Sequence, residues 1–122
     1  MQFWSIIGAA LISLAGCMIH GFIGGRIYMR NIRQSDLSPL TMSLSLVSWH
    51  MFTIFLLVCA VTLLYIANNP GFEVAAYPFI AANFMGAGLF IGLGLAGHAD
   101  LARMPGAYLM GATAILALIG VA

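Results

Sequence analysis

Charge is what this sequence has least of: seven of its 122 residues are ionised at neutral pH, four arginines and three carboxylates. A chain that is 63% hydrophobic and 6% charged, with a mean hydropathy of +1.09, lacks the polar surface that a water-soluble domain needs. A formal net charge of +1 says nothing about nucleic acid, but four arginines make no convincing basic patch, so no nucleic-acid partner is expected. Cysteine is scarce too. Cys17 and Cys59 fall inside apolar runs, which argues against an extracellular disulfide framework and for two buried small groups. The start, Met1-Gln2-Phe3-Trp4, has no basic n-region, and the run after it is too long for a signal h-region, so the first helix is expected to be retained. A Ser-His-Asp set, a phosphate loop and paired intramembrane carboxylates are all missing, and no enzymatic machinery is expected.

Long apolar runs are what the sequence has in quantity. A spanning helix needs about 20 mostly apolar residues, and four such runs fill the chain, at about 2–23, 40–67, 76–97 and 103–122. The expected fold is therefore an all-α integral membrane protein, a single four-helix transmembrane domain over 1–122 embedded in the lipid bilayer. Arg26, Arg30 and Arg33 fall in the first gap and Arg103 in the third. The positive-inside bias then puts both gaps in the cytoplasm and both chain ends outside. Gly24-Gly25 is expected to close the first span. Ser38 and Pro39 offer a cap and a first-turn residue for the second helix. Asn68-Asn69-Pro70-Gly71 demands a reversal.

Small residues suggest how the helices pack, because lipid gives no hydrophobic incentive and close backbone approach must supply the contacts. In the third span Gly88, Gly92 and Ala96 recur every four residues, as do Ala82 and Gly86. One face is expected to serve the bundle and the other a partner or a second copy. Gly16 belongs to a small-residue stripe in the first span that ends at His20, and Asn83 reads as an interhelical hydrogen-bond donor. The two halves share no repeat, so the inverted-repeat argument for a transporter has no basis.

Chemistry, if there is any, rests on three histidines. His20, His50 and His98 all fall in the arginine-side half. His50 lies about 15 Å along its helix at 1.5 Å per residue, where an ionisable group is costly, so it is expected to face the bundle and bond to a serine, threonine or backbone carbonyl. Three sharper readings compete with that one. His20 and His50 on neighbouring helices would be axial ligands of a b-type haem, or one of them would hold a chlorophyll-type pigment. His20, His50 and His98, with Asp100, would bind zinc or copper if they converged, although no HxxxH or CxxC spacing enforces it. A small proton-coupled transporter would ordinarily need an intramembrane carboxylate, and Asp36, Glu73 and Asp100 all sit in gaps.

His20-Gly21, the arginine-bearing loop, Trp49-His50 with Thr53, and Gly97-His98 before the last span together resemble small four-helix bacterial inner-membrane proteins of no assigned function. Such proteins carry an acidic residue soon after the first His-Gly element, where this chain has Gly24-Gly25-Arg26. The resemblance implies an inner-membrane location and histidines near the cytoplasmic side, and no activity. The expected role is an accessory, assembly or structural subunit of a larger membrane complex, partnered by other membrane subunits or by its own copies.

Overall fold

The computed structural model describes residues 1–122 and contains helices and turns but no strand. Four helices carry the chain: α1 (Phe3–Arg33), α2 (Pro39–Asn68), α3 (Tyr77–Leu95) and α4 (Gly106–Val121). Short 3-10 turns at Glu73–Ala76 and Ala99–Arg103 lead into α3 and α4. α1, α2 and α3 with its leading turn are long and apolar enough to cross a membrane. The 16 residues of α4 rise about 24 Å, short of a hydrocarbon core of about 30 Å.

Local chemistry explains most of the helix ends. The Ser38 hydroxyl accepts the Thr41 N–H at 3.3 Å with Pro39 in the first turn, the cap read from the sequence. At the other end of α2, the Asn68 and Asn69 side-chain amides donate to the Leu64 and Tyr65 carbonyls at 2.8 Å each. The Gly71 N–H donates to Glu73 Oε2 at 2.9 Å, and the chain reverses as Asn68-Asn69-Pro70-Gly71 requires. α3 ends in a Schellman motif: Gly97 has φ +111 and the His98 N–H bonds back to the Leu93 carbonyl at 3.0 Å.

One end departs from expectation. Gly24-Gly25 does not close α1. Both glycines keep helical dihedrals, Ile19–Gly24 winds as a π-helix, and the helix continues to Arg33. The cause lies on the neighbouring helix. The His20 carbonyl accepts the Gly25 N–H in the wider π turn and also the Trp49 indole N–H at 3.0 Å. A side chain inserted into the backbone ladder is an established source of such bulges. The Trp49 ring lies against Gly24 and Gly25, where a Cβ on Gly24 would come within 2.9 Å of it, and that packing offsets the usual glycine penalty of about 1 kcal/mol.

α1 packs along α2 on one side and α4 on the other, and α3 packs on α4. α2 and α3 follow one another in sequence, yet they meet mainly through the 3-10 turn that joins them. At that end a cluster built around Ile6, Cys59, Leu63, Ile66, Ile80 and Ala117 is buried. The Gln2 N–H donates to the Gly120 carbonyl at 2.7 Å, so both chain ends sit there. Gly120 is needed for that approach, because a Cβ would collide with the Ile6 side chain and meet its backbone nitrogen at 3.0 Å. Toward the opposite end a cavity lies between Trp49 and Phe52 of α2 and Leu89 and Phe90 of α3.

Candidate functional site

The end with the cavity holds a compact aromatic and imidazole assembly. Trp49 stacks on His20 at a centroid distance of 4.1 Å and an interplanar angle of 11°, and on Tyr28 at 4.3 Å and 15°. His20 and Tyr28 lie about 12 Å apart along α1, so they take opposite faces of the indole and sandwich it. Phe52 meets His20 edge-on at 5.0 Å, a favoured aromatic geometry. His20 Nδ1 lies 2.9 Å from Thr53 Oγ1, and the Thr53 hydroxyl reaches the Trp49 carbonyl at 3.4 Å. With the hydroxyl proton directed to that carbonyl, Nδ1–H is the donor to Thr53 and Nε2 is the free nitrogen. His20, Trp49 and Thr53, three residues singled out in the sequence, thus form one interlock between α1 and α2.

His50 does not take the place expected of it. It is exposed and lines an outer groove of about 600 Å³ with Arg26, Arg30, Arg33 and Gln34, floored by Gly21 and Gly25. One residue is 100° of helix turn, and α2 is rotated so that Trp49, Phe52, Thr53 and Leu56 face inward instead. Trp49 wins that orientation because it buries more apolar area and its N–H finds the His20 carbonyl. The satisfied imidazole foreseen for His50 belongs to His20.

The placements also bear on the ligand readings. His20 lines an inner cavity and His50 the outer groove, so the two do not face each other across one macrocycle-sized space. His98 is exposed in the turn after α3. No three His, Cys, Asp or Glu side chains are grouped to hold a metal ion, and His20, His50 and His98 with Asp100 do not form the site considered from sequence. Arg103 is exposed in the 3-10 turn before α4. That turn abuts the same cavity as His20 and Gly24 through Leu101 and Met104. All four arginines and all three histidines therefore lie away from the chain ends.

The inner cavity is the feature that sequence reasoning missed. It measures about 440 Å³ and is lined by all four helices, with Trp49, Phe52 and Leu56 of α2 and Asn83, Leu89 and Phe90 of α3 among its walls. Asn83 is 1% exposed. Its amide N–H groups donate to the Phe79 carbonyl at 2.9 Å and, across to α2, to Cys59 Sγ at 3.7 Å, the interhelical role read from sequence. Its Oδ1 has no partner. Ser13, also on the wall, spends its hydroxyl on the Leu56 carbonyl at 2.9 Å.

The small residues divide as the two-face pattern suggested, though Gly88, Gly92 and Ala96 take no part in packing inside the bundle. A Cβ on Gly86 would overlap the Met110 side chain, whereas one on Gly88 or Gly92 meets nothing within 4 Å. Ala96 is exposed on the same face. Gly16 is buried with only ordinary contacts at 3.8 Å or more. Comparison with protein-family models, curated proteins and solved structures finds no match. The functional reading therefore rests on this geometry.

Proposed function

We propose that this chain is a multi-pass protein of a bacterial inner membrane that serves as an accessory or assembly subunit, joined to other membrane subunits or to its own copies. In this reading it crosses four times, with both ends outside and the arginine end in the cytoplasm. The Ala99–Arg103 turn then extends the short α4 into the headgroup region. The observation that carries the role is the open Gly88, Gly92 and Ala96 face of α3. Small residues at four-residue spacing let helix backbones approach closely in lipid, and no helix of this chain uses that face. The arginine asymmetry and the resemblance to small four-helix inner-membrane proteins support the location.

The test is cross-linking in native membranes. In a chain whose Cys17 and Cys59 are replaced by alanine, a cysteine at Gly92 should give a disulfide dimer or a defined adduct with one partner. Adding Gly88→Leu should abolish it without loss of helix content. A chain that stays monomeric and partner-free in mild detergent, with the Leu variant indistinguishable, would overturn the proposal. Topology has its own readout: a cysteine at Arg30 that reacts with an impermeant thiol reagent from outside intact cells reverses the orientation.

A further inference from the structure

The outer groove between α1 and α2 gathers positive charge that no wall of the groove answers. Arg26, Arg30 and Arg33 fall within two turns of α1 and all three line it, His50 and Gln34 add hydrogen-bond donors, and no carboxylate is among its walls. Like charges three and four residues apart on a helix repel, and the repulsion is stronger beside hydrocarbon than in water. Gly21 and Gly25 put no side chain on the floor, and the volume of about 600 Å³ is in the range of small-molecule sites. Met29 and Leu46 also line the groove. Leu46 and its neighbour Val47 are exposed, so the rim continues into apolar surface on α2. In the four-pass reading above, on which this step rests, the groove lies at the cytoplasmic boundary of the membrane. Counted from Phe3 and Asn68 at the outer face, Arg26 is about 34 Å and His50 about 27 Å away, against a hydrocarbon core of about 30 Å.

We infer that this groove binds an anionic phospholipid whose headgroup carries two phosphodiesters, with its phosphate oxygens on the arginine guanidinium groups and its glycerol and acyl carbons against Met29 and Leu46. The two-phosphate class follows from the number of cations and their spread. Arg26 and Arg33 lie about 10 Å apart along the helix axis, further than one phosphate reaches, and a single phosphodiester would leave two of the three charges unanswered. A guanidinium pairs phosphate oxygens bidentately, and basic pockets between helices on the cytoplasmic side suit lipid phosphates. A zwitterionic head would bring an ammonium group to walls that hold no carboxylate. A soluble phosphate compound would leave the apolar rim uncovered.

Native mass spectrometry of the full chain in mild detergent tests this, with tetraoleoyl diphosphatidylglycerol, dioleoyl phosphatidylglycerol and dioleoyl phosphatidylcholine as probes. One equivalent of the two-phosphate lipid should bind the wild-type chain at least about tenfold tighter than phosphatidylglycerol, with phosphatidylcholine weaker still. Arg26→Gln and Arg30→Gln should each weaken it about fivefold, the effect of one arginine at an anionic lipid surface. Arg103→Gln removes the same charge outside the groove and should change the affinity by less than about twofold, as a distant screened charge does. Equal affinity for the two anionic lipids would overturn the inference. Equal losses from Arg30→Gln and Arg103→Gln would overturn it too, by making the attraction a general surface effect. A preference that survives in the chain carrying both Arg26→Gln and Arg30→Gln would come from the extra acyl chains, with the same consequence. Displacement of the lipid by equimolar inorganic pyrophosphate would give the groove to a soluble phosphate compound instead. The wild-type comparison and the pyrophosphate competition need no variant to fold. Oligomeric state and orientation do not enter the readout, so failure here and failure of the assembly role are read separately.

Discussion

The two ends of this helix set solve the packing problem differently. At the end that holds the chain termini, alanines and branched side chains around Ile6, Leu63 and Ile66 close the space completely, and Gly120 lets α1 and α4 nearly touch. At the arginine end a cavity remains among the helices, and α1 and α2 are joined there by a layer of aromatic rings and hydrogen bonds centred on Trp49. The closed end is held mainly by shape, with the Gln2 to Gly120 backbone bond beside it, as expected where close packing supplies most of the gain in lipid. The open end relies on polar groups with fixed partners.

The sharpest way to break this contrast is to remove Trp49. Trp49→Ala deletes both faces of the sandwich and the indole donor to the His20 carbonyl, and for this half-buried ring the loss should be about 3 kcal/mol, the low end of the range for truncating a core tryptophan. The variant should lose the π turn at Ile19–Gly24, read as faster amide exchange across Gly21–Gly25, while amides around Leu63 stay protected. Leu63→Ala, at about 2–5 kcal/mol, should do the reverse. Loss of protection at both ends in either variant would mean that the molecule is one cooperative unit and that the contrast between its ends carries no energetic meaning.

How much of this was legible before folding depends on how local the cause is. The Ser38 cap, the Pro39 start and the Asn68–Gly71 reversal were readable because each rests on residues within one turn. The inward face of α2 was not. A helix that is apolar all round carries no stripe to orient it, so Trp49 and His50, adjacent in sequence, compete for one inward direction and only α1 decides. The continuation of α1 through Gly24-Gly25 was hidden for the same reason: glycine is a poor helix former in isolation, and the group that rescues it arrives from 25 residues away. The cavity is bounded by side chains of all four helices and leaves no local residue signature. Asn83 was the available clue, since an amide has two donors and an acceptor to satisfy and an interhelical donor role accounts for only part of that demand.

A smaller perturbation sharpens the open end without dismantling it. Thr53→Val keeps the shape and removes the acceptor for His20 Nδ1, a loss of about 1 kcal/mol for one net hydrogen bond. The informative readout is the imidazole itself. Nitrogen NMR of His20 should show the Nδ1–H tautomer dominant in the wild-type chain and a mixture in the variant. An unchanged tautomer ratio would mean that stacking on Trp49 alone sets the imidazole state.

The smallest effect is expected at the histidine that looked most important in the sequence. His50 is exposed in the groove beside Arg26, Arg30 and Arg33, makes no side-chain contact that ties helices together, and does not share the cavity of His20. His50→Ala should therefore shift stability by no more than about 0.5 kcal/mol, the range of surface substitutions, and leave the His20 tautomer unchanged. His20→Ala removes the stack, the Thr53 bond and part of the cavity wall together, and it should exceed that loss severalfold. If the two variants were equally damaging in thermal unfolding, His50 would have to face inward, α2 would be rotated by about one residue from the orientation described, and the partnership of Trp49 with the His20 carbonyl would fall with it.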